Sequence, residues 1–167
     1  MKKNDLKHFI LIVFLFFSDR ISKYFFNAYM SPGESISLWK ETLLLTLVYN
    51  KGAAFGTMQE NGWLPAFISI IVLFPLLYIF FKTPLKDSLT RLGLSFIISG
   101  ALGNIYDRIV YGYVIDFIDI DIPDIIKTLP RWPVFNFADS CITIGMILVI
   151  IKILFNQKES VDAPNSI

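Results

Sequence analysis

Four apolar stretches, each about long enough to cross a bilayer, constrain this chain more than any other feature. They lie at about residues 8–29, 63–81, 89–109 and 137–155. A membrane-spanning helix needs about 20 largely apolar residues. The 167 residues are 54% hydrophobic and 17% charged, whereas soluble domains are about 25% charged and about 45–50% apolar. The sequence therefore predicts an all-α membrane protein with four transmembrane helices.

The first stretch has a second interpretation, because basic residues followed by an apolar run are also typical of a signal peptide. Lys2 and Lys3 precede the run that begins at His8. The residues after the run, Ser18–Arg20, do not form a cleavage site of small residues. We therefore predict that this segment is a retained helix.

The basic residues predict how the helices are oriented. An even number of helices places both termini on the same side of the membrane. That side also holds most of the basic residues near helix ends: Lys2, Lys3, Lys7, Lys82, Lys86, Arg91, Lys152 and Lys158. The positive-inside rule then places both termini in the cytoplasm, with the connections at about 30–62 and 110–136 outside. We expect one integral membrane domain at 1–157 and a frayed cytoplasmic tail at 158–167.

The two outer connections carry β-strand patterns. Leu43–Tyr49 is rich in β-forming residues and is preceded by Ser35–Trp39, with which it can form a hairpin. Ile118–Ile122 alternates isoleucine and aspartate, a period of two that suits a strand with one solvated face. The sequence predicts a small β-element on the outer face of the helices.

Polar residues of the apolar segments cluster toward the predicted outer side. Ionisable groups within a membrane are costly, so each is a functional candidate. The candidates are Asp19, Arg20, Lys23, Asn50, Asn104, Asp107, Arg108, Asp116, Asn136 and Asp139. The cytoplasmic halves of the helices carry nothing comparable. One site in the outer leaflet is the simplest interpretation.

Several of these residues also have plain structural interpretations. Asp19 and Lys23, spaced i,i+4, can form an ion pair within one helix. Asp107 and Arg108 can form an ion pair that ends the third helix at the interface. In the same helix a stripe of small residues that would let another helix approach recurs every four positions, at Ser95, Ser99 and Gly103.

Taken alone, Asp116 can be a solvated loop carboxylate and Asp139 a helix cap. Together, among Phe, Ile and Val near a predicted membrane boundary, they are harder to explain as structural residues. Asn136 and Asp139 are spaced as a helix-capping box. Two close carboxylates share a proton. The helix N-terminus favours the charge on Asp139, which leaves Asp116 to hold the proton. Such a pair can activate a water molecule to attack a peptide carbonyl.

Other chemistries fit the sequence less well. Asp119, Asp121 and Asp124 follow Asp116 and offer oxygen ligands, but they lack the glycine and final glutamate of a calcium loop. We expect them to be solvated surface acids, and we expect no metal. Cys141 is the sole cysteine, which excludes an intrachain disulfide, and we expect it to pack in the core.

Two further composition counts exclude classes of protein. His8 is the single histidine, so a histidine-based triad or zinc site would need it near the chemistry. The net charge of +1 offers no basic field for nucleic acid.

Five ordered motifs resemble those of the lipoprotein signal peptidases, the type II signal peptidases of bacteria. The motifs are Asp19–Lys23, Asn50–Gly56, Gly100–Asn104 followed by Asp107 and Arg108, Val114–Ile118, and Phe135–Asp139. The resemblance covers most of the chain. It implies four membrane helices with a small extracytoplasmic β-cradle and a short outer helix, in the bacterial cytoplasmic membrane.

The resemblance also implies an activity. Members are aspartic peptidases without metal or cofactor that remove the signal peptide of a prolipoprotein, cutting before a diacylglyceryl-modified cysteine. The catalytic pair carried over by motif is Asp116 and Asp139. Residues that match positions shaping or supporting the site are Asp19, Lys23, Asn50, Gly52, Asn104, Asp107, Arg108, Asn136 and Ala138. Two features depart from the family pattern: a longer connection at 121–131, and Arg20 where Gln is common.

Three other functions stay open at this point. A small proton-coupled transporter could use the same acids as a relay, although transporter sites usually lie near the bilayer midplane at repeat interfaces, and this chain has no repeats. A membrane assembly factor would leave Asp116 and Asp139 unexplained. A metal-dependent hydrolase would lose activity in a chelator. The expected partners are a diacylglyceryl-modified prolipoprotein and membrane lipids, and we expect a monomer.

Overall fold

The structure, a computed structural model, describes residues 3–52, 63–121 and 131–162. The chain forms four helices and three strands in that part. They are α1 (Lys3–Tyr29), β1 (Ser35–Trp39), β2 (Leu43–Asn50), α2 (Trp63–Lys82), α3 (Ser88–Tyr111), β3 (Val114–Ile120) and α4 (Phe137–Asp162). The short outer helix that the resemblance implies, and Asp124, lie outside the described residues.

The helices fall where the apolar stretches predict them, with differences at their ends. α1 begins at Lys3 rather than near residue 8. α4 continues to Asp162, so the first residues of the predicted frayed tail, 158–162, are helical. α3 begins where the Asp87 side chain accepts a hydrogen bond from the backbone of Thr90, and it ends at Gly112, whose φ of 79° is left-handed.

Two of the helices in the described part of the chain, α2 and α4, are long and apolar enough to cross a membrane by composition and length. Only 11% and 17% of their apolar windows are buried within the protein, so most of this surface faces outward. The core helix of a soluble protein would hide it instead. α1 and α3 differ because they carry charged side chains that are buried inside the bundle, among them Asp19, Lys23, Arg91 and Asp107.

The strands form one antiparallel sheet in the order β1-β2-β3. The predicted hairpin of Ser35–Trp39 with Leu43–Tyr49 is confirmed. β3 begins at Val114, four residues before the alternating segment that predicted it. Asp116 therefore lies within a strand, opposite Val48, and not in a solvated loop. Phe135 then bridges to Ile118 and leads the chain into α4.

α3 lies at the centre of the bundle and packs closely against α4 through glycines. A Cβ at Gly93 would lie 2.8 Å from the carbonyl oxygen of Gly145, and one at Gly103 would lie 3.2 Å from the Cβ of Ala138. The predicted small-residue stripe is thus only partly the helix–helix contact. Ser95 faces α1, where its hydroxyl lies 3.3 Å from Nδ1 of the buried His8.

Two small hydrophobic clusters support the ends of this assembly. Met30, Leu47 and Ile115 join α1 to the sheet. Phe80, Leu94 and Ile98 join α2 to α3 nearer the start of α3. The first cluster fixes β3 on the bundle beside the C-terminal end of α1, and this places Asp116 close to the start of α4.

Candidate active site

Asp116 projects from β3 into the protein and is 1% exposed. Its Oδ1 accepts a hydrogen bond of 2.7 Å from Nδ2 of Asn136, and its Oδ2 accepts one of 2.9 Å from Nδ2 of Asn50. Burial raises the pKa of Asp116 to about 7. The hydrogen bond from Asn50 opposes this rise, while the negative charge of Asp139 adds to it. A carboxyl with such a pKa can hold a proton near neutral pH.

Asp139 lies in the first turn of α4 and makes the predicted capping box with Asn136. The backbone N–H of Asn136 donates to Oδ2 of Asp139 at 3.2 Å, and the backbone N–H of Asp139 donates to Oδ1 of Asn136 at 2.9 Å. The other oxygen, Oδ1 of Asp139, accepts from Nδ2 of Asn104 at 2.7 Å. The capping interpretation and the functional one are thus compatible, because one carboxylate serves both.

Two asparagine amides connect the carboxylates. Nδ2 of Asn136 donates to Asp116 and, at 3.1 Å, to Oδ1 of Asn104. Lys23 also donates to that oxygen, at 2.9 Å. Since Oδ1 of Asn104 receives two donors, its Nδ2 must face Asp139. The network therefore fixes the orientation of the amide between the two acids.

A cluster of four charges, three of them buried, lies behind this network. Lys23 contacts Asp19 at 3.1 Å, as its i,i+4 spacing predicts, but it also contacts Asp107 at 2.8 Å. Arg20 contacts Asp107 at 2.6 Å. The predicted pairing of Asp107 with Arg108 is wrong, because Asp107 points across the helix interface to the cations of α1. Arg108 instead donates to Oγ of Ser69 on α2, at 3.4 Å.

The remaining predicted residues join the same region. Oδ1 of Asp19 accepts a hydrogen bond of 3.0 Å from the backbone N–H of Ala138. Gly52, with a left-handed φ of 87°, donates its backbone N–H to Oδ1 of Asn50 at 2.9 Å. Arg108 is close enough that the charges of Asp139 and Asp116 act on it. The two proposed catalytic residues and the nine supporting residues named from the motifs all lie in or beside one network.

One pair was missed by the sequence analysis. Asp119 is buried rather than solvated: it accepts a hydrogen bond of 2.7 Å from Nε of Arg131 and one of 2.8 Å from Oγ1 of Thr46. Arg131 also donates to the carbonyl oxygen of Glu41 at 2.8 Å. The alternation of β3 predicts which face of the strand carries Asp119, but no pattern in the sequence indicates that Asp119 pairs with Arg131, 12 residues later.

A cleft of about 410 Å³ opens beside Asp139. Most of its lining is apolar or aromatic, from Ile120, Trp132, Phe135, Asp139, Ser140, Thr143 and Ile144. The ion pair of Arg131 with Asp119 fastens one wall, because the next residue, Trp132, donates its backbone N–H to the carbonyl of Ile120 at 3.0 Å. A largely apolar cleft with a carboxylate at its side can hold an apolar substrate close to that carboxylate.

Other candidate chemistries find little support in the geometry. Within residues 3–52, 63–121 and 131–162, no group of three His, Cys, Asp or Glu side chains is placed to share a metal ion. Cys141 is buried and packs against α3. His8 lies on the side of Ser95 and Phe80, away from the two acids.

Comparison with known proteins decides the family. The sequence model of the family described as Signal peptidase (SPase) II matches residues 11–155. The chain belongs to the signal peptidase II family. It is therefore an aspartic peptidase, and the resemblance seen in the five motifs is confirmed.

The similarity to individual signal peptidases extends over nearly the whole chain. The chain is 38% identical over 160 residues to the lipoprotein signal peptidase of Francisella tularensis subsp. novicida, and the match covers 93% of this chain and 96% of that protein. It is 45% identical over 150 residues to the lipoprotein signal peptidase of Syntrophomonas wolfei, covering 90% and 92%.

Solved structures show that the signal peptidase II chain has a membrane-enzyme fold. A bacterial membrane enzyme determined by the in meso method at 2.3 Å aligns with a TM-score of 0.80 and 33% identity, over 96% of this chain and 94% of that one. A second, determined at 1.9 Å, aligns with a TM-score of 0.78 and 35% identity, over 89% and 92%.

Proposed function

We propose that the protein removes signal peptides from diacylglyceryl-modified prolipoproteins by cleaving before the lipidated cysteine. Asp116 and Asp139 form the catalytic pair. One observation carries the assignment: the two carboxylates come from different elements, and both accept hydrogen bonds from Asn136, Asp116 from its side-chain Nδ2 and Asp139 from its backbone N–H, beside a largely apolar cleft. The substrate class is supported by the relatives, which are lipoprotein signal peptidases.

We assign the roles of the two acids from their environments. Asp116 is deeply buried and its pKa is raised to about 7, so it holds the shared proton. Asp139 lies at the N-terminus of α4, where backbone N–H groups stabilise negative charge. Asp139 is therefore the base that takes a proton from water, and Asp116 is the acid that donates a hydrogen bond to the carbonyl oxygen.

The reaction then needs only these two groups and one water molecule. The oxygen of the water bonds to the scissile carbonyl carbon while one proton of the water moves to the carboxylate of Asp139. The resulting tetrahedral species keeps its oxygen against the acid of Asp116. When the C–N bond breaks, the proton held by Asp139 passes to the leaving amine and the acid pair returns to its starting state. Cleavage should fall as the pH rises above about 7, because Asp116 then loses its proton.

The supporting residues hold this pair in place. Asn50, Asn104 and Asn136 donate to the carboxylates, and Gly52 fixes the amide of Asn50. Arg108 supplies a positive charge near both acids. We assign the part of the substrate nearest the scissile bond to the cleft beside Asp139, because the walls of this cleft are largely apolar and the cleft opens along α4.

The same placement supports a membrane topology. The sheet and the two acids lie at the end of the bundle where α1 and α3 finish and α4 begins. We assign four membrane spans, cytoplasmic termini, and an active site at the extracytoplasmic face of the cytoplasmic membrane. The domain is 1–157, with the tail at 158–167. The excess of Lys and Arg at the opposite end supports this orientation. We expect a monomer.

The test is cleavage of a purified diacylglyceryl-modified prolipoprotein by the purified enzyme in detergent. Mass spectrometry should show a product that begins at the lipidated cysteine. The matched controls are the same prolipoprotein without the lipid and one with that cysteine replaced by serine, and neither should be cut. Equal cleavage of all three would contradict the proposed substrate class, and no cleavage of any would contradict the activity.

A further inference from the structure

Two buried carboxylates outside the proposed catalytic pair each hold a backbone N–H next to a catalytic residue. Oδ1 of Asp19 accepts from Ala138, the residue before Asp139. Oδ2 of Asp107 accepts from Ile115, the residue before Asp116, at 3.3 Å. The start of α4 and the strand β3 are therefore both anchored to the same cluster of charges.

Arg20 is the residue that bridges these two anchors through separate nitrogens. Its Nη1 contacts Oδ1 of Asp107 at 2.6 Å, and its Nη2 contacts Oδ2 of Asp19 at 2.8 Å. The guanidinium carbon lies 4.7 Å from the ring centre of Tyr106, which covers one face of the group. Lys23 also contacts both carboxylates, but as a single point of charge. The planar fork of Arg20 is what sets the spacing between the two acids.

We propose that Arg20 is a positioning residue of the peptidase, which sets the relative placement of Asp116 and Asp139 by clamping Asp107 to Asp19. Its nitrogens donate to Asp107 and Asp19, and none donates to Asp116 or Asp139. Its effect passes through two carboxylates and two backbone N–H groups to the residues that precede the catalytic pair. This inference rests on the assignment of Asp116 and Asp139 as that pair.

The clamp also sets the charge behind the active site. Arg20 and Lys23 balance Asp19 and Asp107, so the cluster as a whole is neutral. Removing the positive charge of Arg20 leaves one net negative charge behind the pair. The charged groups that act on Asp116 are Lys23 of α1, Arg108 of α3 and Asp139 of α4. An added negative charge makes ionisation of Asp116 harder, so the alkaline limb of the pH–rate profile should move to higher pH.

The experiment compares Arg20→Met, Arg20→Lys and the control Lys7→Met in the prolipoprotein cleavage assay, with kcat, KM and the pH profile measured for each. Met removes the charge and all donors, whereas Lys keeps the charge but replaces the two nitrogens of the planar fork with a single ammonium. Lys7 is an exposed cation at the other end of α1. Thermal unfolding in the same detergent reports the folded fraction of each variant.

For Arg20→Met we expect kcat to fall by about tenfold or more with little change in KM, because a misplaced pair is slower at chemistry without losing its cleft. The alkaline limb of its pH–rate profile should shift to higher pH by roughly half a unit. Arg20→Lys should have the wild-type alkaline limb and a kcat between those of Arg20→Met and the wild type. Lys7→Met should match the wild type in both.

Three results would overturn the inference. They are a folded Arg20→Met enzyme with wild-type kcat, a change in KM alone, or a loss that tracks unfolding while the remaining activity keeps the wild-type pH profile. Asp116→Asn in the same assay separates this failure from failure of the proposed function. If Asp116→Asn is inactive and Arg20→Met is normal, only the role of Arg20 is wrong. If Asp116→Asn still cuts, the catalytic pair itself is wrong.

Discussion

Replacing Gly100 with alanine should impair catalysis without altering the side chains of the proposed catalytic pair. A Cβ at this position would lie 2.8 Å from Cγ1 of Ile142 and closer still to the carbonyl oxygen of Ala138. Ordinary contact begins near 3.4 Å, so the first turn of α4 must move by about 0.6 Å or more. Asp139 follows Ala138 directly and must move with it.

The size of the effect follows from this displacement. Overpacking a close contact costs about 1–3 kcal/mol, and alanine in a helix returns about 1 kcal/mol relative to glycine. The net loss of stability should therefore be about 0–2 kcal/mol, toward the upper end because the nearest atom is a backbone carbonyl oxygen. A displacement near 1 Å in an active site can cost on the order of 100-fold in rate. We expect Gly100→Ala to lower kcat by about 10- to 100-fold while the protein still folds.

Gly93→Ala is the matched control. It adds the same methyl group to the same helix, where the new Cβ would lie 2.8 Å from the carbonyl oxygen of Gly145 and 2.8 Å from Cγ2 of Val149. Gly145 lies about two helical turns beyond Ala138. Thermal unfolding should show a loss for both variants, larger for Gly100→Ala because its contacts are tighter, and the folded enzyme should show a large loss of kcat only for Gly100→Ala. Full activity of Gly100→Ala, or equal inactivation of the two folded variants, would refute the reasoning.

Three further predictions concern single residues. Burial raises the pKa of Asp116 from 3.8 to about 7, so the stability that the protonated carboxyl contributes is present below pH 4 and is lost as the pH rises to about 7. The difference in unfolding temperature between the wild type and Asp116→Asn should therefore change between pH 4 and pH 7, and a constant difference would contradict the raised pKa. Arg131→Met should lower the free energy of unfolding by about 1–3 kcal/mol, because it leaves the buried Asp119 without its cation, and Arg131→Lys should lose less in the same denaturation measurement. Cys141→Ala should keep kcat near the wild-type value with a modest loss of stability, and loss of cleavage by a folded variant would indicate a thiol mechanism.

The elements of this fold could largely be predicted because they depend on local patterns. The length of each apolar stretch predicts a helix, and the spacing of Asn136 and Asp139 predicts a capping box that the structure confirms. The hairpin was likewise predictable from two adjacent runs of β-forming residues. These signals involve residues a few positions apart.

The partners of the charged residues could not be predicted because they lie far apart in the chain. Asp107 and Arg108 are neighbours in sequence, yet Asp107 pairs with Arg20, 87 residues away. The alternation around Asp119 predicts a solvated face, but Arg131 covers it after a connection whose path the sequence does not specify. Side-chain charge predicts that a group needs a partner, and only packing decides which one.

The catalytic pair is the central claim, and the most direct measurement is single-turnover cleavage by Asp116→Asn and Asp139→Asn. Each substitution keeps the shape of the side chain and removes the carboxyl that must exchange a proton. Both purified variants should bind the diacylglyceryl-modified prolipoprotein, unfold cooperatively, and show no cleavage above the uncatalysed background. Substantial cleavage by either folded variant would contradict the account.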